Sequence, residues 1–130
     1  MRRKFTYWRW RRILGVIELH EASLAESILK IALDVAAENH AEKISAVALK
    51  LGEMSGVEVE ALSFSFDVLK KNTSAENAVL KINRVPITAQ CNKCGKNFTV
   101  ERYNFFCPEC DGILILKSGR ELLVEYVDCE

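Results

Sequence analysis

The sequence lacks any apolar run near the roughly 20 residues that a membrane-spanning helix needs. Its basic opening, MRRKFTYWRWRRILGVIE, has one apolar run, Ile13 to Ile17, with a glycine inside it. A secretory signal needs an apolar stretch of about 7–15 residues and a small-residue cleavage site, so none is expected here. The phosphate-binding pattern G-x-x-x-x-G-K-[ST] and the dinucleotide pattern G-x-G-x-x-G are also absent. His20-Glu21 does not extend to the zinc-protease H-E-x-x-H, because position 24 is Leu. The chain has 2 histidines, His20 and His40, and no serine or free cysteine in a recognisable nucleophile context. These absences argue against an acid–base or acyl-transfer enzyme. The expectation is a protein that is not an enzyme and relies on a partner for any nucleotide chemistry.

Net charge is lacking too, since 18 Lys and Arg balance 18 Asp and Glu. The balance hides a split. Residues 1–18 hold Arg2, Arg3, Lys4, Arg9, Arg11 and Arg12 against Glu18 alone, a net +5, and the rest of the chain carries the compensating −5. Both tryptophans, Trp8 and Trp10, lie in the same opening stretch. The body is therefore mildly acidic, which speaks against phosphate-backbone binding as its task and implies no nucleic-acid partner. Without an export signal or a membrane span, the expected location is the cytoplasm. In that reducing compartment the 5 cysteines hold metal more often than they form disulfides.

Apolar residues then set out the elements. From Ser23 to about Asn39, Leu24, Ile28, Ile31 and Val35 recur at helical spacing on one face. Glu21 or Ser23 can open this helix, and His40 stands at its negative end. KISAVALKL (43–51) alternates, with Val47, Leu49 and Leu51 on one face, and predicts a half-buried strand. GEMSG (52–56) reads as a turn, and Glu58 to Lys71 as a second helix with a wide buried face. VLKINRVPI (79–87) predicts a strand that Pro86 ends or confines to an edge. ILILK and ELLVEYVD predict two more, separated by the turn SGR (118–120). Together these imply an α+β fold, a small sheet covered by two helices. A cysteine-bearing segment is inserted between strands of that sheet.

That segment reads CNKCGK and CPECDG: Cys91-x2-Cys94, then Cys107-x2-Cys110. A two-residue spacer lets both sulfurs of a pair reach one ion, and Gly95 and Asp111-Gly112 let the backbone turn tightly behind each pair. Two such loops supply the four thiolates of a closed structural Zn2+ site, with iron a second possibility. A redox dithiol needs only one pair. Four thiolates on Zn2+ leave a local charge of −2, which Lys93 and Lys96 can partly offset. A segment this short buries little core, so the ion is expected to supply its folding energy. Cys129 lies outside the pairs and is expected to be a bystander.

Four motifs now stand in order: HEASLAESI behind Leu19, LGEMSGV (51–57), the two Cys pairs, and SGRELLVEYVD (118–128). Over residues 19–130 they resemble the HypA-type nickel chaperones of NiFe-hydrogenase maturation. Members of that family start Met-His-Glu, and that tripeptide binds Ni2+. The resemblance thus implies a transported Ni2+ at His20 and Glu21 and a structural Zn2+ at Cys91, Cys94, Cys107 and Cys110. It implies an α/β nickel-binding domain over 19–87 and 117–130 and a zinc-binding module over 88–116. The implied partners are a maturation GTPase of the same pathway and the hydrogenase large-subunit precursor.

Ni2+ favours square-planar nitrogen donors. A histidine at position two can set its imidazole beside the terminal amine and neighbouring backbone nitrogens in fused chelate rings, with Glu21 adding a carboxylate or orienting the imidazole. Here the chain departs from the family, because Leu19 stands where the family has its initiator. In the 130-residue register no terminal amine adjoins His20. The expectation is that residues 1–18 are a basic aromatic extension arising from a misassigned start, with Leu19 an initiating UUG or CUG codon read as Met. A genuine extension would instead suit acidic lipid or nucleic acid, since it combines Arg with Trp. Two other readings compete for the body: a zinc-ribbon nucleic-acid binder, and an adaptor that exposes Phe98, Tyr103, Phe105 and Phe106. Against the first, Lys93, Lys96 and Arg102 are matched by Glu101, Glu109 and Asp111. Against the second, the four aromatics are expected to form the module's own core.

Overall fold

A computed structural model describes residues 2–6 and 21–130, so His20 and the remainder of 7–20 lie outside the described residues. The element order is β1 (Arg3–Thr6), α1 (Glu21–Glu38), β2 (Ile44–Gly52), a 3-10 turn (Glu53–Ser55), α2 (Val59–Leu69), β3 (Val79–Val85), β4 (Thr88–Cys91), β5 (Asn97–Thr99), β6 (Leu114–Ser118) and β7 (Leu122–Cys129). The chain forms two compact units.

The first unit comprises Met1–Lys50, Val57–Asn83 and Leu122–Glu130, and its sheet has the order β1-β7-β2-β3. The α1 stripe packs as its spacing predicts: Leu24, Ile28 and Val35 are buried, and Ile31 is partly covered. These residues join Leu62 and Phe66 of α2, Val47 and Leu49 of β2, and Val124 and Val127 of β7 in one core. The helix ends as expected near His40, which adopts φ 55, while the Ala41 N–H donates to the Ala36 carbonyl at 2.8 Å. That pairing closes the last turn in the manner of a left-handed cap.

Three details differ from expectation. Strand β2 is covered on both faces, because Ala46 and Ala48 are buried as well as Val47 and Leu49. A methyl group on a strand between two neighbours lies close to the backbone, so alternation of large and small residues does not reveal exposure. Helix α2 buries only Leu62 and Phe66, whereas Phe64 is 71% and Val68 49% exposed. Its core face is narrower than its composition suggests. Finally, part of the opening stretch is built into the sheet. Strand β1 runs antiparallel to β7 with Arg3 opposite Cys129 and Phe5 opposite Val127, and Lys4 Nζ sits 3.9 Å from the Tyr126 ring centroid.

The second unit comprises Arg84–Glu121 together with Leu51–Gly56, a wider span than the expected 88–116. It has its own sheet, β5-β4-β6, so ILILK pairs with β4 of this unit. Ile87, Ala89, Val100 and Leu114 form its core, with Met54, Phe98, Phe105 and Leu116 packed against them. The 3-10 turn joins this unit through backbone bonds, Gly52 N–H to the Glu121 carbonyl and Met54 N–H to the Gly119 carbonyl, both at 2.7 Å. Among the described residues no helix is long and apolar enough to cross a membrane.

Candidate metal centres

The two cysteine loops follow one backbone plan. In the first, the Cys91 N–H donates to the Lys96 carbonyl at 2.9 Å, and in the second the Cys107 N–H donates to the Gly112 carbonyl at 3.0 Å. Each bond spans five residues and folds its loop so that both sulfurs point inward. The loops are joined directly as well. Asn92 N–H donates to the Ile113 carbonyl, and the Asn92 side-chain carbonyl accepts from Ile113 N–H, each at 3.0 Å.

This folding gathers all four predicted thiols, with every Sγ within 4.8 Å of the others. Cys91 Sγ and Cys110 Sγ are 3.4 Å apart, and Cys94 Sγ and Cys107 Sγ are 3.8 Å apart. A tetrahedron with Zn–S bonds of ~2.3 Å has edges of about 3.8 Å, so the four sulfurs suit that ion. Backbone amides also point at the sulfurs. Lys93 N–H approaches Cys91 Sγ at 3.4 Å, and Gly112 N–H approaches Cys110 Sγ at 3.3 Å. Donors aimed at sulfur favour the thiolate, the form a metal requires.

The protonation pattern follows from those contacts. The Cys94 amide, helped by the Lys93 amide and the neighbouring thiols, lowers Cys91 to about 6 from an ordinary 9.0. Cys110 receives the Gly112 amide, which lowers it, but Cys91, burial and the other two thiols together push it up to about 12. The cluster thus holds one easily formed thiolate, Cys91, beside Cys94 and Cys110, whose pKa values are raised. A divalent cation relieves that repulsion. Because four thiolates fill a tetrahedral shell, the site fits a closed structural zinc centre without an open coordination position.

The two lysines have carboxylate partners as well as the nearby sulfurs: Glu109 first, and then Cys94 and Cys107, favour the charged form of Lys96. Lys93 Nζ lies 2.9 Å from Asp111 Oδ1, and Lys96 pairs with Glu109, which raises the Lys96 pKa. Both pairs tie the first loop to the second, so the charge of Lys93 and Lys96 is shared with carboxylates. Sequence reasoning missed these pairs and the Asn92 link. The signal was available as opposite charges in CNKCGK and CPECDG. The aromatic expectation divides: Phe98 and Phe105 pack in the unit's core, while Tyr103 and Phe106 are 63% and 72% exposed.

For the predicted nickel pair, His20 lies outside the described residues and Glu21 is the first residue of α1. Glu21 is half-buried, and its Oε1 accepts a hydrogen bond from the Glu58 N–H, at the entry to α2, at 3.2 Å. Among the described residues, the four cysteines are the one cluster of three or more His, Cys, Asp or Glu close enough to share an ion.

Comparison with known proteins agrees with this architecture. The hydrogenase maturation factor HypA of Caldanaerobacter subterraneus subsp. tengcongensis is 33% identical over 114 residues, covering 86% of this chain and 100% of the relative. That of Azoarcus sp. is 40% identical over 101 residues, covering 78% and 89%. Two solution structures share the fold at 22% identity. The nickel metallochaperone HypA from Helicobacter pylori has a TM-score of 0.61, covering 85% of this chain and 97% of its own, and a second HypA protein has a TM-score of 0.66, covering 87% and 98%. The family model described as "Hydrogenase/urease nickel incorporation, metallochaperone, hypA" matches residues 19–129, and the chain belongs to that family of nickel metallochaperones.

Proposed function

We propose that this protein captures Ni2+ through the Leu-His-Glu segment at 19–21 and delivers it during maturation of a NiFe-hydrogenase, without catalysing a reaction itself. His20 supplies the imidazole and Glu21 completes the pair. A cytoplasmic GTPase of the same pathway provides the nucleotide chemistry, and the hydrogenase large-subunit precursor receives the ion. The carrying observation is that the family match begins at residue 19, so that Leu19-His20-Glu21 opens the matched region, with Glu21 the first residue of α1.

Chain geometry sharpens the question of the start. Arg3 Nη2 donates to the Asn39 carbonyl at 3.2 Å, so β1 begins beside the C-terminal end of α1. The 18 residues of α1 span about 27 Å at ~1.5 Å each, and Glu21 is at the other end. Arg3 and Glu21 therefore lie near opposite ends of α1. A terminal chelate at His20 requires a chain that begins at Leu19, read as Met.

Metal counting tests the proposal. The 130-residue protein, a form beginning with Met at position 19, and His20→Ala in each are titrated with Ni2+ and read by native mass spectrometry. The expected result is one tightly held zinc throughout and one weaker nickel in the shorter form, lost on His20→Ala. Nickel binding that is indifferent to His20→Ala would overturn the assignment. A native intact mass that retains residues 1–18, with normal nickel loading, would overturn the terminal-amine chelate.

A further inference from the structure

We infer that the Glu21 carboxylate is a positioning group and not a nickel ligand: it braces the start of α1 against the entry to α2. This rests on the nickel assignment above and specifies how Glu21 serves it. Two observations carry the inference. The first is the hydrogen bond from Glu58 N–H to Glu21 Oε1 at 3.2 Å. Glu58 precedes the first helical residue of α2, and its own side chain makes no capping bond. An orphan donor at a helix entry is thus satisfied by a carboxylate from another helix, which also complements the positive end of the α2 dipole.

The second is where Glu21 lies on α1. Leu24, Ala25 and Ile28 follow it by three, four and seven residues and are all buried. That spacing puts Glu21 on the same stripe, the one packed on Leu62 and Phe66 of α2 in the shared core. Glu21 therefore continues the packed face of the helix with a polar anchor at its end. A carboxylate that accepts this bond at Oε1 is already oriented by the α2 entry before any ion arrives. What it fixes is the start of α1, and through that start it would orient a ligand supplied by the preceding residue in the sequence, much as outer groups orient metal-binding imidazoles.

Exchange of Glu21 for Gln and for Ala separates the roles. An amide oxygen accepts the Glu58 N–H but is a poor substitute for a ligating carboxylate. In the metal-free full chain, amide hydrogen exchange at Glu58 should stay within about threefold of wild type in Glu21→Gln and rise about tenfold in Glu21→Ala. Unchanged exchange in Glu21→Ala would overturn the brace. In nickel titration of the form starting at 19, Glu21→Gln should bind within about threefold of wild type, and Glu21→Ala about tenfold or more weaker. Equal loss in both variants would mark a ligating carboxylate and overturn the inference. Loss of His20→Ala sensitivity would instead sink the nickel assignment, while the exchange data would still judge the brace.

Discussion

Replacing Gly112 by Ala tests the sulfur geometry directly. A Cβ built on Gly112 would lie 2.5 Å from Cys91 Sγ, 3.0 Å from Asn92 Oδ1 and 3.2 Å from Cys110 Sγ. Ordinary contact begins near 3.4 Å, so Cys91 Sγ or the loop must yield by about 0.9 Å. Zinc sites tolerate bond-length departures of about ±0.2 Å, far less than that displacement. Overpacking of this kind costs about 1–3 kcal/mol, which corresponds to roughly fivefold to 150-fold in affinity. The assay is competition for zinc between the loaded protein and a chromophoric chelator at fixed pH. Gly95→Ala is the matched control, because its Cβ would meet nothing within 4 Å although the backbone there has φ 74. That variant should lose only about 1 kcal/mol through the left-handed backbone, and so at most about fivefold in zinc affinity. If the two variants hold zinc equally well, the sulfurs are not arranged around the space that Gly112 leaves open.

Two further outcomes follow from burial. Phe66 is fully buried and Phe64 is 71% exposed on the same helix, so Phe66→Ala should cost about 3–5 kcal/mol in urea unfolding and Phe64→Ala under about 0.5 kcal/mol. Comparable losses would mean that α2 faces the core differently. Cys129 is fully buried, and burial raises its pKa above the ordinary 9.0, against a smaller lowering by Arg3. A group with a raised folded pKa adds stability below its unfolded value and loses it as pH rises past that value. In zinc-loaded protein Cys129 should therefore resist a thiol reagent at neutral pH and react only on unfolding, with stability falling as pH climbs above about 9. Rapid native labelling at Cys129 would contradict this.

How far the sequence was readable depended on whether the signal was local. The α1 stripe and the edge strand stopped by Pro86 are properties of a few neighbouring residues, and each appeared where periodicity or proline chemistry put it. The four cysteines were legible for a different reason: a two-residue spacer constrains sulfur separation before any fold is considered. What stayed hidden was pairing between distant segments. LGEMSGV and SGRELLVEYVD were visible as separate motifs, yet nothing local shows that Gly52 and Met54 bond to Glu121 and Gly119. Likewise KFT carries no sign that it pairs with VEYVD across more than a hundred residues of chain. The buried face of α2 is narrower than its composition suggests because the helix is apolar on more than one side, and only the core that it meets selects a side. For Glu21, the family resemblance implied a ligating or orienting role, while its bond to Glu58 needed the second helix to be in place.

The two ions ask opposite things of the polypeptide. A structural ion should leave slowly, and the cysteine loops are built for that. Cys91 and Cys107 are buried, each loop is closed by a backbone bond over five residues, and two ion pairs and Asn92 lock one loop to the other. Removing the ion returns four crowded sulfurs to one another, which is unfavourable while more than one is ionised. A cargo ion must instead be surrendered to another protein, so a closed shell of thiolates would defeat transport. Nitrogen donors at a chain end meet the need, because they can be replaced one at a time by an acceptor's ligands. Such an end still has to be aimed, and a disordered one would dilute its donors over many directions. In the proposed arrangement, a carboxylate on the first residue of a packed helix, bonded to the entry of a second helix, would supply aim without adding a bond to the ion. On that reasoning, strengthening capture by turning the brace into a ligand would slow release. A variant that moves the carboxylate to the metal should therefore bind nickel more tightly and hand it over more slowly.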